Sequence, residues 1–121
     1  MDFQIFRLGQ NKKTEQEKMM VIYSVTVTIN REVEEQWVTW MKETHLGDVM
    51  ATGYFESWKL FKMLIPASTT NDVTYIVQYT VSSMQKYEEY AKKEAAKLQA
   101  EHAQKFPRKF KAARAVLEEL T

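Results

Sequence analysis

The 121-residue chain has no cysteine, two prolines, three glycines and two histidines. Without cysteine there is no disulfide framework, no thiol nucleophile and no cysteine-based zinc site. The same absence suits a reducing compartment. Seventeen basic against sixteen acidic residues leave a net charge of +1. No field of one sign draws the protein to nucleic acid or to a membrane surface. No apolar run approaches the ~20 residues of a membrane span. The opening "MDFQIFRLGQNKKTEQEK" turns polar after Phe6 and lacks the apolar core of a signal peptide. These absences point to a cytoplasmic protein with neither membrane nor nucleic acid as partner. What is present is a 45% hydrophobic composition, within the globular range. The length fits one domain, which buries about two thirds of the surface of its unfolded chain.

Residues 1–18 read as a polar N-terminal extension, poorly ordered, ahead of a single domain over 19–121. The alternative is that "FQIF" pairs with an exposed sheet edge. "VIYSVTVTI" (Val21 to Ile29) alternates strictly and is β-branched, which predicts a strand. "NREVEEQWVTWMKETH" predicts a helix with Asn30 as N-cap and a Val33, Trp37, Trp40, Met41 stripe. Lys42 and His45 fall at its expected C-terminal end, and Gly47 suits the residue past the C-cap. Asp48 to Ala51 can add one short turn. A long strand is expected from Gly53 to Ile65, a turn at "PASTTND", and another strand at Val73 to Val81.

Ser82 and Gln85 have capping-box spacing for a helix that runs to about Lys105 and stops before Pro107. Its expected stripe is Met84, Tyr87, Ala91, Ala95, Leu98 and His102. The tail "KFKAARAVLEEL" has helix propensity, yet a strand through Phe110, Ala112, Arg114 and Val116 completes a strand, helix, strand, strand, helix, strand order. The expected fold is therefore α+β, a ferredoxin-like βαββαβ domain. It has a four-stranded antiparallel sheet with two helices on one face.

The even positions of the two central strands are then the informative ones. Ile22, Ser24, Thr26, Thr28, Thr74, Ile76, Gln78 and Thr80 are short and uncharged. Phe55, Phe61 and Met63, or Trp58 and Leu60, are the second strand's candidates for the same face. A solvated sheet face usually carries Lys, Glu and Arg, whereas charge depletion marks an interface core. A homodimer through this face follows, with Thr26 and Gln78 near its middle. A Thr-rich exposed face chosen for β propensity is the competing explanation.

The runs "IYSVTVTI", "WMKETHLGDVMATGYF" and "VTYIVQYT", with the later aromatic and "KF" positions, resemble an uncharacterised, domain-of-unknown-function family of short bacterial proteins. Such sequences are similar to ferredoxin-like proteins that dimerise as α/β barrels. The resemblance covers about residues 20–117. It implies the fold and a strand in the tail, and it implies no activity. In the wider superfamily some members are oxygenases, haem-degrading enzymes or ligand sensors, but none of their motifs maps onto positions here.

Candidate site residues are few. His45 is either a helix-end histidine favoured by the dipole or a base at a pocket mouth. His102 lies on an apolar stripe and reads as a core-edge histidine with one hydrogen bond. The two histidines show no metal-ligand spacing, so no metal is expected. Trp37 and Trp40 read as core, with Trp40 able to line a cavity beside His45. Lys105, Arg108, Lys109, Lys111 and Arg114, with Phe106 and Phe110, raise RNA binding, but "VTYIVQYT" does not fit the aromatic strand pattern of RNA-recognition modules. Paired carboxylates, a nucleophile triad and a phosphate loop are all missing, and no cofactor is implied. Two function classes remain. One is a small-ligand-binding or regulatory module. The other is a cofactor-independent enzyme, monooxygenase- or isomerase-like. In it His45 is the base, Thr52 and Gln78 are polar anchors and Trp40 is an apolar wall. Thr26 joins these as a ligand-binding candidate.

Overall fold

A computed structural model describes residues 20–120 of the chain. The expectations for residues 1–18 lie outside the described residues. β1 (Val21–Asn30) and β3 (Asp72–Val81) are the two clean alternators, and they pair antiparallel along their whole length, from Val21 opposite Val81 to Asn30 opposite Asp72. Their odd-numbered side chains are buried, apart from half-buried Val25, and their even-numbered ones are half-buried. β2 (Ser57–Lys62) pairs with β3, and β4 (Phe110–Glu118) pairs with the free side of β1, both antiparallel. The sheet order is β2-β3-β1-β4. The tail is thus a strand beside β1, against its local helix propensity, because the ladder to β1 satisfies its backbone. β2 is shorter than the run from Gly53 to Ile65. Phe55 leaves the strand path and is buried against Tyr23 and Tyr79 in the core.

The first helical segment opens with a 3₁₀ turn (Arg31–Val33), capped by Asn30 Oδ1, which accepts from Glu32 N–H at 2.9 Å. It continues as α1 (Glu34–Trp40), passes through a π turn (Met41–His45) and ends as α2 (Leu46–Ala51). The helix therefore does not stop at Gly47. It stops at Thr52 and Gly53, where Gly53 takes the left-handed φ of 84° that a side chain resists. The π turn inserts one extra residue per turn and shifts the buried stripe. Trp37 and Met41 are followed inward by His45, Leu46 and Val49.

The second helical segment is broken at Glu94 into α3 (Met84–Lys93) and α4 (Ala95–Lys105). Its cap is Ser83, one residue later than the expected Ser82: Ser83 Oγ accepts from Lys86 N–H at 3.2 Å. The break moves the phase, so Tyr90, Ala95, Leu98 and His102 are buried while Met84 and Ala91 are exposed. Both segments bury these residues with the odd positions of the sheet in one core.

Candidate functional site

Where the two helical segments meet the sheet, the packing is incomplete. A cleft of about 40 Å³ remains, room for roughly three water molecules at ~10–15 Å³ each. β1 and β3 form its floor with Tyr23, Val25, Val27, Val77 and Tyr79. The π turn contributes Met41 and His45, and α2 contributes Val49. Tyr90 of α3 and Leu98, Gln99 and His102 of α4 close the other side. Ala112 and Arg114 of β4 complete it, and Arg114 is exposed. The helices cover the β1 and β3 residues of the sheet and leave most of β4 bare, so the cleft reaches solvent there. No carboxylate is among its lining residues.

His45 lies in the π turn. It follows Trp37 and Met41 at four-residue spacing and, with the helix continuing to Ala51, is turned inward, 9% exposed. Trp40 stacks on it, with ring centroids 4.8 Å apart and planes 24° from parallel. Nδ1 of His45 is buried without a hydrogen-bond partner. Burial pushes its pKa from the usual 6.5 to about 4, with Asp48 opposing the shift. The ring is therefore neutral at pH 7.

His102 sits 5.8 Å from His45, centroid to centroid, and meets Phe110 edge-on at 4.1 Å. Trp37 Nε1–H donates to His102 Nε2 at 2.8 Å. That bond occupies the Nε2 lone pair, so the neutral ring carries its proton on Nδ1. Burial pushes this pKa to about 4 as well, and the nearby His45 and Arg114 push the same way. Because its only lone pair on nitrogen is taken by the indole, His102 is closed to a metal. Among the described residues no three His, Cys, Asp or Glu side chains converge on one point.

A tyrosine cluster borders the other half of the cleft. Tyr23 stacks on Tyr79 at 5.7 Å and lies tilted against Tyr90 at 5.8 Å. Burial raises the pKa of all three, and at Tyr23 the Arg114 guanidinium opposes that rise. The phenols stay protonated and remain donors.

The structure brings together only part of the expected site. His45 and Trp40 are in contact. Thr52 is spent on its own helix end, donating Oγ1–H to Val49 carbonyl at 2.7 Å. Thr26 and Gln78 lie on the opposite face of the sheet, at even positions opposite Ile76 and Ser24. The sheet itself separates them from His45. Phe106 is buried and Phe110 half-buried around His102, so neither is displayed for stacking on bases. The basic run is dispersed: Lys109 pairs with Glu32 at 3.3 Å, and Arg114 turns to the cleft.

Tyr23, Tyr90 and Gln99 are polar lining residues that the sequence did not single out, and Arg114 was named only in the basic run and the tail strand, not for this cleft. Arg114 left a trace, since a strand through Phe110, Ala112 and Val116 puts a charge on their core-facing side. Tyr23 and Tyr90 left none, because a tyrosine that borders a cleft reads like any core aromatic.

The other face of the sheet forms a regular grid. Across it run Ser57, Thr80, Ile22 and Leu117, then Lys59, Gln78, Ser24 and Ala115, then Phe61, Ile76, Thr26 and Ala113. Phe61 is on this face, whereas Trp58 and Leu60 pair with the core-facing Tyr79 and Val77. Thr28 and Thr74 hydroxyls bond each other at 3.3 Å, and Ser57 and Thr80 at 2.6 Å. Charges stand on the outer strands, at Lys59 and Lys111, and at the first residue of β3, Asp72, at one end of the grid.

No helix among the described residues is long and apolar enough to cross a membrane. Among curated proteins nothing matches the chain. Residues 20–120 match the family described as Domain of unknown function (DUF4286), and the chain belongs to that family.

Proposed function

We propose that this DUF4286 member is a cytoplasmic, homodimeric small-ligand-binding module of ferredoxin-like βαββαβ architecture, paired through its sheet faces as an α/β barrel. The observation that carries the binding role is the cleft with His45 Nδ1 sealed in it and unpartnered. A buried polar atom without a partner costs about 1–3 kcal/mol. A ligand or an ordered water that reaches it recovers that cost. The cleft walls are otherwise apolar, with a few polar groups, as binding sites usually are.

Dimerisation is supported by the grid. Four strands ~4.8 Å apart and up to ten residues long at ~3.3 Å each give about 500–600 Å² of face. A monomer rarely exposes a weakly polar patch much larger than that. Two such faces together approach the lower end of stable interfaces. The hydroxyl pairs help, because groups already bonded to each other lose little when water leaves.

The enzyme reading is weaker. A histidine with a pKa near 4 and only exposed Asp48 as a charged partner is a poor base at neutral pH. Thr52 and Gln78, its expected helpers, are elsewhere.

The test is a titration of ¹⁵N-histidine-labelled protein with a set of small fragments. At least one fragment class should move the His45 imidazole resonances. If none does, and His45→Phe is more stable while otherwise unchanged, the cleft is a packing defect and the binding role falls.

A further inference from the structure

The protein has two partly buried polar clusters, and they differ in one respect. At one end of the sheet Tyr75 donates to Glu34 Oε2 at 2.7 Å, and Lys62 Nζ lies 3.0 Å from the same oxygen. Every charge there has its opposite. The cleft has no such closure. These polar side chains of its lining each offer a donor: the hydroxyls of Tyr23, Tyr79 and Tyr90 and the Gln99 amide, which also accept, and His102 Nδ1–H and the Arg114 guanidinium, which only donate. Arg114 is the single formal charge, and no carboxylate lines the cleft to answer it.

A donor-rich cavity with one cation is complementary to an acceptor-rich monoanion. A planar guanidinium fits a carboxylate in bidentate fashion. A phosphate dianion would need a second cation, which the lining does not supply. The apolar remainder of the wall, chiefly Val25, Val27, Val77 and Leu98, calls for a short hydrocarbon part. Space for about three waters limits the ligand to a handful of heavy atoms.

We infer that the cleft binds a small organic monocarboxylate, with its carboxylate on Arg114 at the mouth beside Tyr23 and its short chain along Val25, Val27, Val77 and Leu98, leaving His45 Nδ1 to an ordered water. This inference rests on the ligand-binding role proposed above and names the chemistry of the ligand. Arg114 is the specificity-determining residue. It occupies an exposed position on an edge strand, so replacing it leaves the core intact.

The experiment compares butyrate with butyramide, which share shape and heavy-atom count and differ in charge. Both are titrated at pH 7 into labelled wild-type protein, Arg114→Gln and Arg114→Lys, with Tyr23 and His45 resonances as the readout. Butyrate is expected to bind wild type at least about tenfold more tightly than butyramide, a difference of the size one charge-assisted contact gives. Arg114→Gln should bring butyrate down to the level of butyramide, and Arg114→Lys should restore part of the preference. Equal affinities for the two probes in wild type overturn the carboxylate inference and leave a cleft for neutral ligands. Unchanged butyrate binding in Arg114→Gln also overturns it. If neither probe moves the cleft resonances, the carboxylate inference is lost, while the ligand-binding role stands or falls with the fragment titration above.

Discussion

The two faces of the sheet are made by the same two strands, one residue out of step. On the odd face β1 and β3 present valines and tyrosines that the helices cover, and the chain completes this core within itself. On the even face they present threonine, serine, glutamine and isoleucine, half-buried and with no charge between Ile22 and Thr28 or between Thr74 and Thr80, and no helix among the described residues covers them. Alternation alone does not separate these outcomes. The odd face is large and aromatic, so its burial dominates the folding energy at ~25 cal/mol per Å². The even face is small, and part of it is mutually bonded through the Thr28–Thr74 and Ser57–Thr80 hydroxyl pairs.

A charge in the middle of the even face should separate them most sharply. Thr26→Lys is expected to cost the dimer about 3–5 kcal/mol, the scale of a buried unpaired charge, and so yield monomer in light scattering. Glu35→Lys, on the exposed side of α1, should leave the mass unchanged. A wild-type monomer at high micromolar concentration, with Thr26→Lys identical to it, would sink the interface.

The odd face should respond to acid instead. His45 and His102 titrate near 4 when folded against 6.5 when unfolded. Between these values the unfolded chain binds more protons than the folded one, so stability falls as pH drops from about 6.5 to about 4. Each shift corresponds to about 3 kcal/mol. Urea midpoints measured from pH 7 down to pH 4 should fall steeply. The double variant His45→Phe, His102→Phe should flatten most of that slope.

A smaller effect is expected from the indole. Trp37→Phe removes the donor to His102 Nε2 and should destabilise by about 1–3 kcal/mol, the cost of a buried acceptor left unpaired. It should also free that nitrogen to titrate, so imidazole ¹⁵N shifts in the variant should show a higher His102 pKa. An unchanged pKa would mean that burial, with His45 and Arg114, sets it without the indole. Least of all, removal of residues 1–18 should change stability by no more than about 1 kcal/mol, as most peripheral changes do. A larger loss in denaturant melts would place the leader against one of the two faces.

Much of this architecture was legible. The period-two runs from Val21 and Val73 set the central pair and the composition of both faces. The need for a fourth strand placed the tail beside β1. The candidate site was less so, for local reasons. His45 keeps the four-residue spacing of Val33, Trp37 and Met41, but the helix was expected to end there, which hid that it turns inward. The break at Glu94 shifted Tyr90 inward in place of Ala91. Thr26 and Gln78 carried even-face positions from the start, and a shared pocket with His45 was never compatible with that phase. The cap at Ser83 in place of Ser82 shows how two adjacent serines compete for one role, with backbone geometry choosing between them.

Lys59 on β2 and Lys111 on β4 place like charges along the two outer strands of the sheet among the described residues, with Lys62 and Arg114 beside them on the other side. Edge strands with bare backbone groups invite further strands, and lysine is a common deterrent. Growth by edge addition would bring these cations together along a lengthening ribbon. Stacking face to face brings the uncharged centre together and ends after two copies, because each copy has only one such face. The pattern of charge on the described strands thus works against growth of the sheet by edge addition.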